Sequence, residues 1–534
     1  MTTVTRTMWV GVWTFVALLL VSMLSFPLGF DQAIFEAGGA AVGLHGAIPF
    51  RDFLELKQPL IFYVYGLSTI LFGRHEWSPR LLDIIYHGIS LIVFYRILRR
   101  EGGDERLATV SVLLYAVSYV GSGFWMTMEP ESYALLPQLL LMSAVLSLDR
   151  TNEQRIWMPA AIAAISLWAL IMLKITLVIV FGAVLVYLFI TRASNPRQKS
   201  VFVAWTVAIF GALLAVTAFV LARLGALDNL VMSIRWLGSY ASYYPLFGIK
   251  TFVEFYYHTF PSEVLTSLSP TFVLLAILFV TEWIRERTHR TAARPIDRLL
   301  LFCMIGIVVG LSSVAFERKA FNYQFTRLFW AFIPVVAASI VHRWDDVRSR
   351  AARTGFMGRL GLGFVMLLAF VYSSFPRVID QTFGWGIPAL RGDTQAVIER
   401  ERTYNYDVGE MRRLSATYKP MLAQDGQLFV WGNAAQLYLE FGQTPPMLEL
   451  VNAMFMTSHT PSEWTDTLAA QWQRQKPMLF ICEQNDARPL ITRTSDDSYA
   501  ALLKIPSLRS VLETYYEPLD STTHYRVYRR RTDR

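Results

Sequence analysis

Cysteine is almost absent: there are two in 534 residues. Cys303 falls inside an apolar run and Cys482 inside the polar tail, so no structural disulfide is expected. Charge is also scarce, with 17% Asp, Glu, Lys and Arg against 54% hydrophobic residues, and mean hydropathy is +0.37. A soluble core has no room for so many long apolar runs, which argues against a soluble protein of this size. The polar tail shows no phosphate-loop glycine pattern and no metal-ligand spacing, and the chain supplies no His/Cys cluster suited to zinc. It has no short-period repeat and no low-complexity tract. The basic excess of +8 does not read as a nucleic-acid footprint. The bases lie in loops between apolar segments, where they set orientation in a membrane.

What is present is a series of apolar segments of spanning length. They cover residues 8–30, 81–98, 107–124, 132–149, 156–173, 175–191, 201–223, 264–283, 299–315, 326–342 and 359–375. The fold expected is a polytopic α-helical membrane protein with about eleven transmembrane helices. Residues 1–375 would form the membrane domain and 376–534 a soluble α/β domain. The first segment is too long for a signal-peptide core and reads as an uncleaved span. Bases gather on one side, in the clusters at Arg96–Arg106, Arg192–Lys199, Arg285–Arg298 and Arg343–Arg359. This puts the N-terminus in the cytoplasm of a plasma membrane, and the tail outside with the loop at Asp31. Pro59 to Gly73 is apolar but short, and a crossing there would invert every later loop, so it reads as a juxtamembrane or re-entrant helix. Asp31 to Leu44 reads as an amphipathic helix on the outer interface, ended by His45-Gly46.

Polar chemistry concentrates on the outer side. The first loop carries Asp31, Glu36, Arg51, Asp52, Glu55 and Lys57. Glu129 and Glu131 flank Pro130, and Lys174 sits at a tight junction. Gly225 to Pro261 is rich in Tyr and Trp, read first as an interface belt. Arg318 and Tyr323 lie in a late loop. In the tail, Gln395–Leu422 and Ala434–Phe441 look helical, Gln427–Trp431 and Met478–Cys482 strand-like, and Val511–Tyr516 is paired with Thr523–Tyr528. A carboxylate at a membrane surface with bases and an apolar groove suits sugar transfer from a lipid-linked phosphate. The acid takes a proton from an acceptor hydroxyl, and the bases meet the departing phosphate.

The runs Phe30-Asp31-Gln32-Ala33-Ile34, Ile48-Pro49-Phe50-Arg51-Asp52-Phe53, Lys57-Gln58-Pro59-Leu60 and Phe72-Gly73, with Arg80 beyond, resemble the first external loop of the GT-C glycosyltransferases. The likeness is to the branch of the protein mannosyltransferases and the lipid A aminoarabinose transferase. Leu173-Lys174, Asn322-Tyr323 with Pro334, and Val430-Trp431-Gly432 with Leu437-Tyr438 resemble later landmarks of that branch.

The resemblance implies a GT-C fold with juxtamembrane helices in the first external loop. It also implies inverting transfer from a polyprenyl-phosphate sugar to a lipid-linked glycan, polysaccharide or protein acceptor. Asp31 matches the catalytic base and Lys57 the lysine beside the donor phosphate. Arg51 and Lys174 are further phosphate candidates; Asp52, Glu55, Glu129 and Glu131 are acidic candidates; Arg318 and Tyr323 are loop candidates. Against these stand an N-cap role for Asp31, which the loop match disfavours, an interfacial anchor for Lys57, and a mutual ion pair of Arg51 with Asp52, the favoured reading of those two. Metal-binding members tend to have an acid directly before the lysine. Leu56 stands there and Glu55 one place earlier, so the metal requirement stays open. A lipid-sugar flippase or transporter and a non-catalytic envelope-assembly protein share the composition. Transporters usually show paired repeats and mid-bilayer charges, whereas these charges gather on the outer face.

Overall fold

The computed structural model describes residues 3–191, 195–241, 253–288, 295–317, 319–353, 356–404, 408–422 and 426–532. Every apolar segment named above is helical over most of its length. Among the described residues five helices are long and apolar enough to cross a bilayer alone, and up to eight if each of three bent pairs is one span. The remainder of the expected set are shorter. Leu135–Leu146, for example, follows the turn Pro130–Tyr133, and Val180–Ile190 follows the break at Lys174. These breaks fall at prolines and at charged residues, which interrupt apolar periodicity. The chain divides into two compact units.

The first unit gathers Met1–Phe26, Arg80–Val216 and Tyr244–Ile387. It is helical. Helix α1 spans Thr3–Ser22, and α4, Ser78–Gly102, supplies most of its length to this unit. Helix α5, Glu105–Gly121, starts where the Asp104 carboxylate accepts the Arg106 N–H at 2.7 Å. The helix Phe329–Arg353 packs on α5 and on the helices Pro270–Thr288 and Pro295–Glu317. Residues 328–339 are buried on every face, as an apolar helix surrounded by others must be.

The second unit gathers Pro27–Pro79, Thr217–Tyr243 and Pro388–Arg534. Four strands, β1 Leu428–Trp431, β2 Leu479–Glu483, β3 Tyr516–Ser521 and β4 Tyr525–Arg530, form a mixed sheet in the order β1-β2-β4-β3. Strands β1 and β2 are parallel, and the other pairs antiparallel. The hairpin is present, but Val511–Tyr515 belongs to the helix Pro506–Tyr515 and pairing begins at Tyr516. The core combines Phe429, Trp431, Trp464, Trp472 and Phe480 with Phe50 and Leu54 of the first loop and Trp236 of the helix Leu227–Ala241. The Trp236 indole N–H donates to Thr457 Oγ1 at 3.1 Å. That tryptophan is thus core rather than interface belt. Tyr243 and Tyr244 lie outside the described residues.

Helix α2, Phe30–His45, ends at Gly46 in the left-handed region, as expected. It is not the amphipathic surface helix expected, because Gln32 through Ala41 are all buried. The reason is α3, Leu60–Phe72. Gly38, Gly39 and Gly43 present a side without Cβ atoms, and a Cβ at Gly39 would lie 2.4 Å from that of Tyr65. The two helices therefore touch nearly backbone to backbone.

Candidate functional site

Asp31 stands in the first turn of α2, where unpaired N–H groups favour a carboxylate. It does not serve as the N-cap. Gly29 is the N-cap, and its N–H donates to Gln32 Oε1 at 2.7 Å. That leaves the Asp31 carboxylate, 29% exposed, for Lys57, whose Nζ is 3.4 Å away. The ammonium also lies 5.8 Å from the Phe35 ring centroid. Glu55 is buried and accepts the Lys57 backbone N–H. Burial pushes the Glu55 carboxyl above its ordinary range; Lys57 opposes this and Asp31 adds to it. One turn along α2, buried Glu36 receives Arg74 Nε at 2.9 Å and Nη2 at 3.3 Å, tying α2 to the end of α3.

The loop between the helices is strapped to the tail within this unit. Leu54 N–H donates to Leu448 O at 2.8 Å, and the Asn229 side chain donates to Phe50 O at 2.7 Å. Arg51 and Asp52 form a bidentate pair, with both N···O distances 2.7 Å. Against the cost of burial, the Arg51 fork and the Ile48 N–H hold the Asp52 carboxyl below its usual range. From the tail, the Arg488 guanidinium lies 4.1 Å from the ring centroid of Phe30, the residue before Asp31. Behind β1, Gly432 leaves room for Glu483, whose Oε2 accepts the Asn433 N–H at 2.7 Å. Burial, with Asp486 nearby, lifts Glu483 to about 7.

The other predicted residues occupy the first unit, where a closed ring of charge forms. Lys174 Nζ donates to Glu131 Oε1 and Glu317 Oε2, each at 2.7 Å. Arg327 donates to the same two acids at 2.7 Å and 2.6 Å. The Tyr323 ring centroid is 5.7 Å from Lys174 Nζ. Glu129 and Glu131 are buried rather than forming an exposed turn. Arg80 is buried too, donating to Thr127 Oγ1 at 2.6 Å. Arg318 lies outside the described residues. Glu317 reads in the sequence as a polar residue of the late outer loop without a role, and Arg327 is not a candidate there. Their signal was weak: a charge at each edge of an apolar run.

Among the described residues no third His, Cys, Asp or Glu joins Asp31 and Glu55 at ligating distance. One group of three, Glu282, Glu286 and His342, does converge in the first unit, where Arg343 already donates to Glu282 at 2.7 Å.

The fold, many apolar helices with a small C-terminal sheet, is similar to that of known GT-C membrane proteins. Residues 57–222 match the model of the dolichyl-phosphate-mannose-protein mannosyltransferase family. Among solved structures, ArnT from Cupriavidus metallidurans bound to undecaprenyl phosphate is similar with TM-score 0.57 and 13% identity, over 100% of this chain and 99% of that one. Its apo form is similar with TM-score 0.56 and 14% identity, over 98% of each chain. The apo oligosaccharyltransferase of Archaeoglobus fulgidus gives 0.55 and 12%, over 100% of this chain and 76% of that one. No curated protein matches the sequence.

Proposed function

We propose that the chain transfers a sugar from a polyprenyl-phosphate donor to an acceptor hydroxyl, with inversion, on the outer face of the plasma membrane. The N-terminus lies in the cytoplasm in this reading, and the tail from residue 376 is extracytoplasmic. The acceptor is a lipid-linked glycan, a polysaccharide or a protein. The observation that carries the reading is the partly exposed Asp31–Lys57 couple at the head of a helix buried from Gln32 to Ala41.

In this scheme Asp31 takes the acceptor proton as the acceptor oxygen bonds to the anomeric carbon. The bond from that carbon to the phosphate oxygen breaks on the opposite side, and the phosphate leaves with the electron pair. Lys57 meets the developing charge, and Glu55 fixes the backbone from which Lys57 projects. Arg51 and Lys174 are further phosphate contacts, but each is already held by carboxylates, so Lys57 takes the leading part. Glu129, Glu131 and Tyr323 are further candidates beside Lys174, Arg318 is a candidate outside the described residues, and Asp52 orients Arg51.

The test is mass spectrometry of lipid-linked sugars in cells lacking the gene. A polyprenyl-phosphate sugar should accumulate, and should clear on complementation with the wild type but not with Asp31→Asn. An unchanged lipid-linked pool would sink the reading.

A further inference from the structure

A second feature lies in the first unit, where α1 passes α4. A cavity of about 740 Å³ is lined by Trp9, Trp13, Tyr95, Arg96, Arg99 and Arg100, with Ile92 at its apolar side. The three rings form one cluster. Trp9 and Trp13 are 5.8 Å apart between centroids, and Tyr95 stands edge-on to them at 6.4 Å and 5.9 Å.

The cations beside this cluster are unevenly committed. Arg100 donates to Glu101 and to Ser143. Arg96 and Arg99 are exposed, and neither side chain makes a hydrogen bond or ion pair with any described residue. The acids at this end are already engaged. Glu101 is shared by Arg100 and Arg150. Asp104 caps α5, and Glu105 accepts the Tyr95 hydroxyl at 3.3 Å. Arg96 and Arg99 are three residues apart on one helix, so they share a face. Two guanidiniums without counter-charge therefore flank an apolar hollow walled by amphipathic rings at the end of a spanning helix.

Orientation accounts for bases at such a boundary, and an interfacial belt for Trp and Tyr there. Neither accounts for the hollow that the three rings and the uncommitted Arg96 and Arg99 line together. We propose that this cavity binds the headgroup of an anionic glycerophospholipid. One phosphate is held by Arg96 and Arg99 through charge-assisted bonds, and the glycerol and upper acyl chains lie against Trp9, Trp13 and Ile92. The site is separate from the Asp31 couple and does not depend on its role.

The experiment is native mass spectrometry of the full-length protein in detergent, titrated with dioleoylphosphatidylglycerol or dioleoylphosphatidylcholine. The wild type should retain phosphatidylglycerol selectively. An Arg96→Gln/Arg99→Gln variant should lose about thirtyfold in that retention, with the melting temperature unchanged. Arg150→Gln, which removes a base outside the cavity, should keep it. Equal retention of the two lipids, or undiminished retention by the double variant, overturns the proposal. Should the double variant fail to fold, a phosphatidylglycerol with a photoreactive acyl chain is applied to the wild type. Labelling within residues 9–13 and 92–100 supports the site, and labelling only elsewhere refutes it.

Discussion

Asp31 and Lys57 face each other across 26 residues of sequence, close enough that the base can steady the acid before substrate arrives. Removing the acid while keeping its shape isolates proton transfer. Asp31→Asn should lower turnover by about 10²–10⁴-fold with donor binding largely retained, read as kcat against KM in a purified transfer assay. Glu483 gives a pH prediction that is independent of catalysis. Its carboxyl moves from 4.5 to about 7 on folding, so between those values the folded state holds the extra proton. Stability from this group is complete below pH 4.5, falls as pH rises, and levels off above about 7. The interval corresponds to ~3 kcal/mol. Glu483→Gln should flatten that decline in melting temperature against pH, and an unaltered slope would refute the assignment. The charge ring gives a third. Lys174 is the partner of two carboxylates, one of them wholly buried. Lys174→Met leaves both carboxylates to share Arg327, with one negative charge in excess, and should destabilise the protein by about 3–5 kcal/mol, whereas Lys174→Arg should be milder, both read by thermal melts in detergent.

Between elements, the contact that sets the Asp31 loop is the α2–α3 crossing. Helices approach this closely only where side chains are missing, and Gly39 meets Tyr65 with no room for a methyl group. Gly39→Val should cost about 1–3 kcal/mol or more and expose the 46–59 loop to protease, while Gly11→Ala, in open space, should do neither. Local pattern showed where α2 starts and stops, because Asp31, Gly46 and the apolar residues between are sequence-local signals. It did not show that α2 is buried from Gln32 to Ala41. Ala- and Gly-rich faces score as weakly apolar, and only a partner backbone makes them core. Likewise Lys174 was visible as a charge in an apolar stretch. The ring it closes was not, since its partner Glu317 lies 143 residues from Lys174 and the second cation, Arg327, lies 196 from the shared Glu131. No periodicity spans such separations. Strand β3 was displaced for a related reason: Val511–Tyr515 is apolar enough for either state, and packing on the helix Ser462–Gln475 decides for helix.

For the molecule as a whole, the second unit draws on three distant stretches of chain. A fragment of residues 376–534 would lack Phe50, Leu54 and Trp236 from its core. Expressed alone, it should bind a hydrophobic dye and melt without cooperativity, whereas the intact chain should not; a sharp transition from the fragment would show that the tail has a sufficient core of its own. The same arrangement fixes the timing of assembly. Phe50 and Leu54 emerge from the ribosome more than 370 residues before β1 at Leu428, and β4 ends at Arg530. The early loop therefore waits, incompletely packed, through synthesis of nearly every helix. A nascent chain that stops short of β4 bears the acid but lacks part of the core against which Phe50 and Leu54 pack, so the loop leading to Lys57 is seated only once that strand has been made.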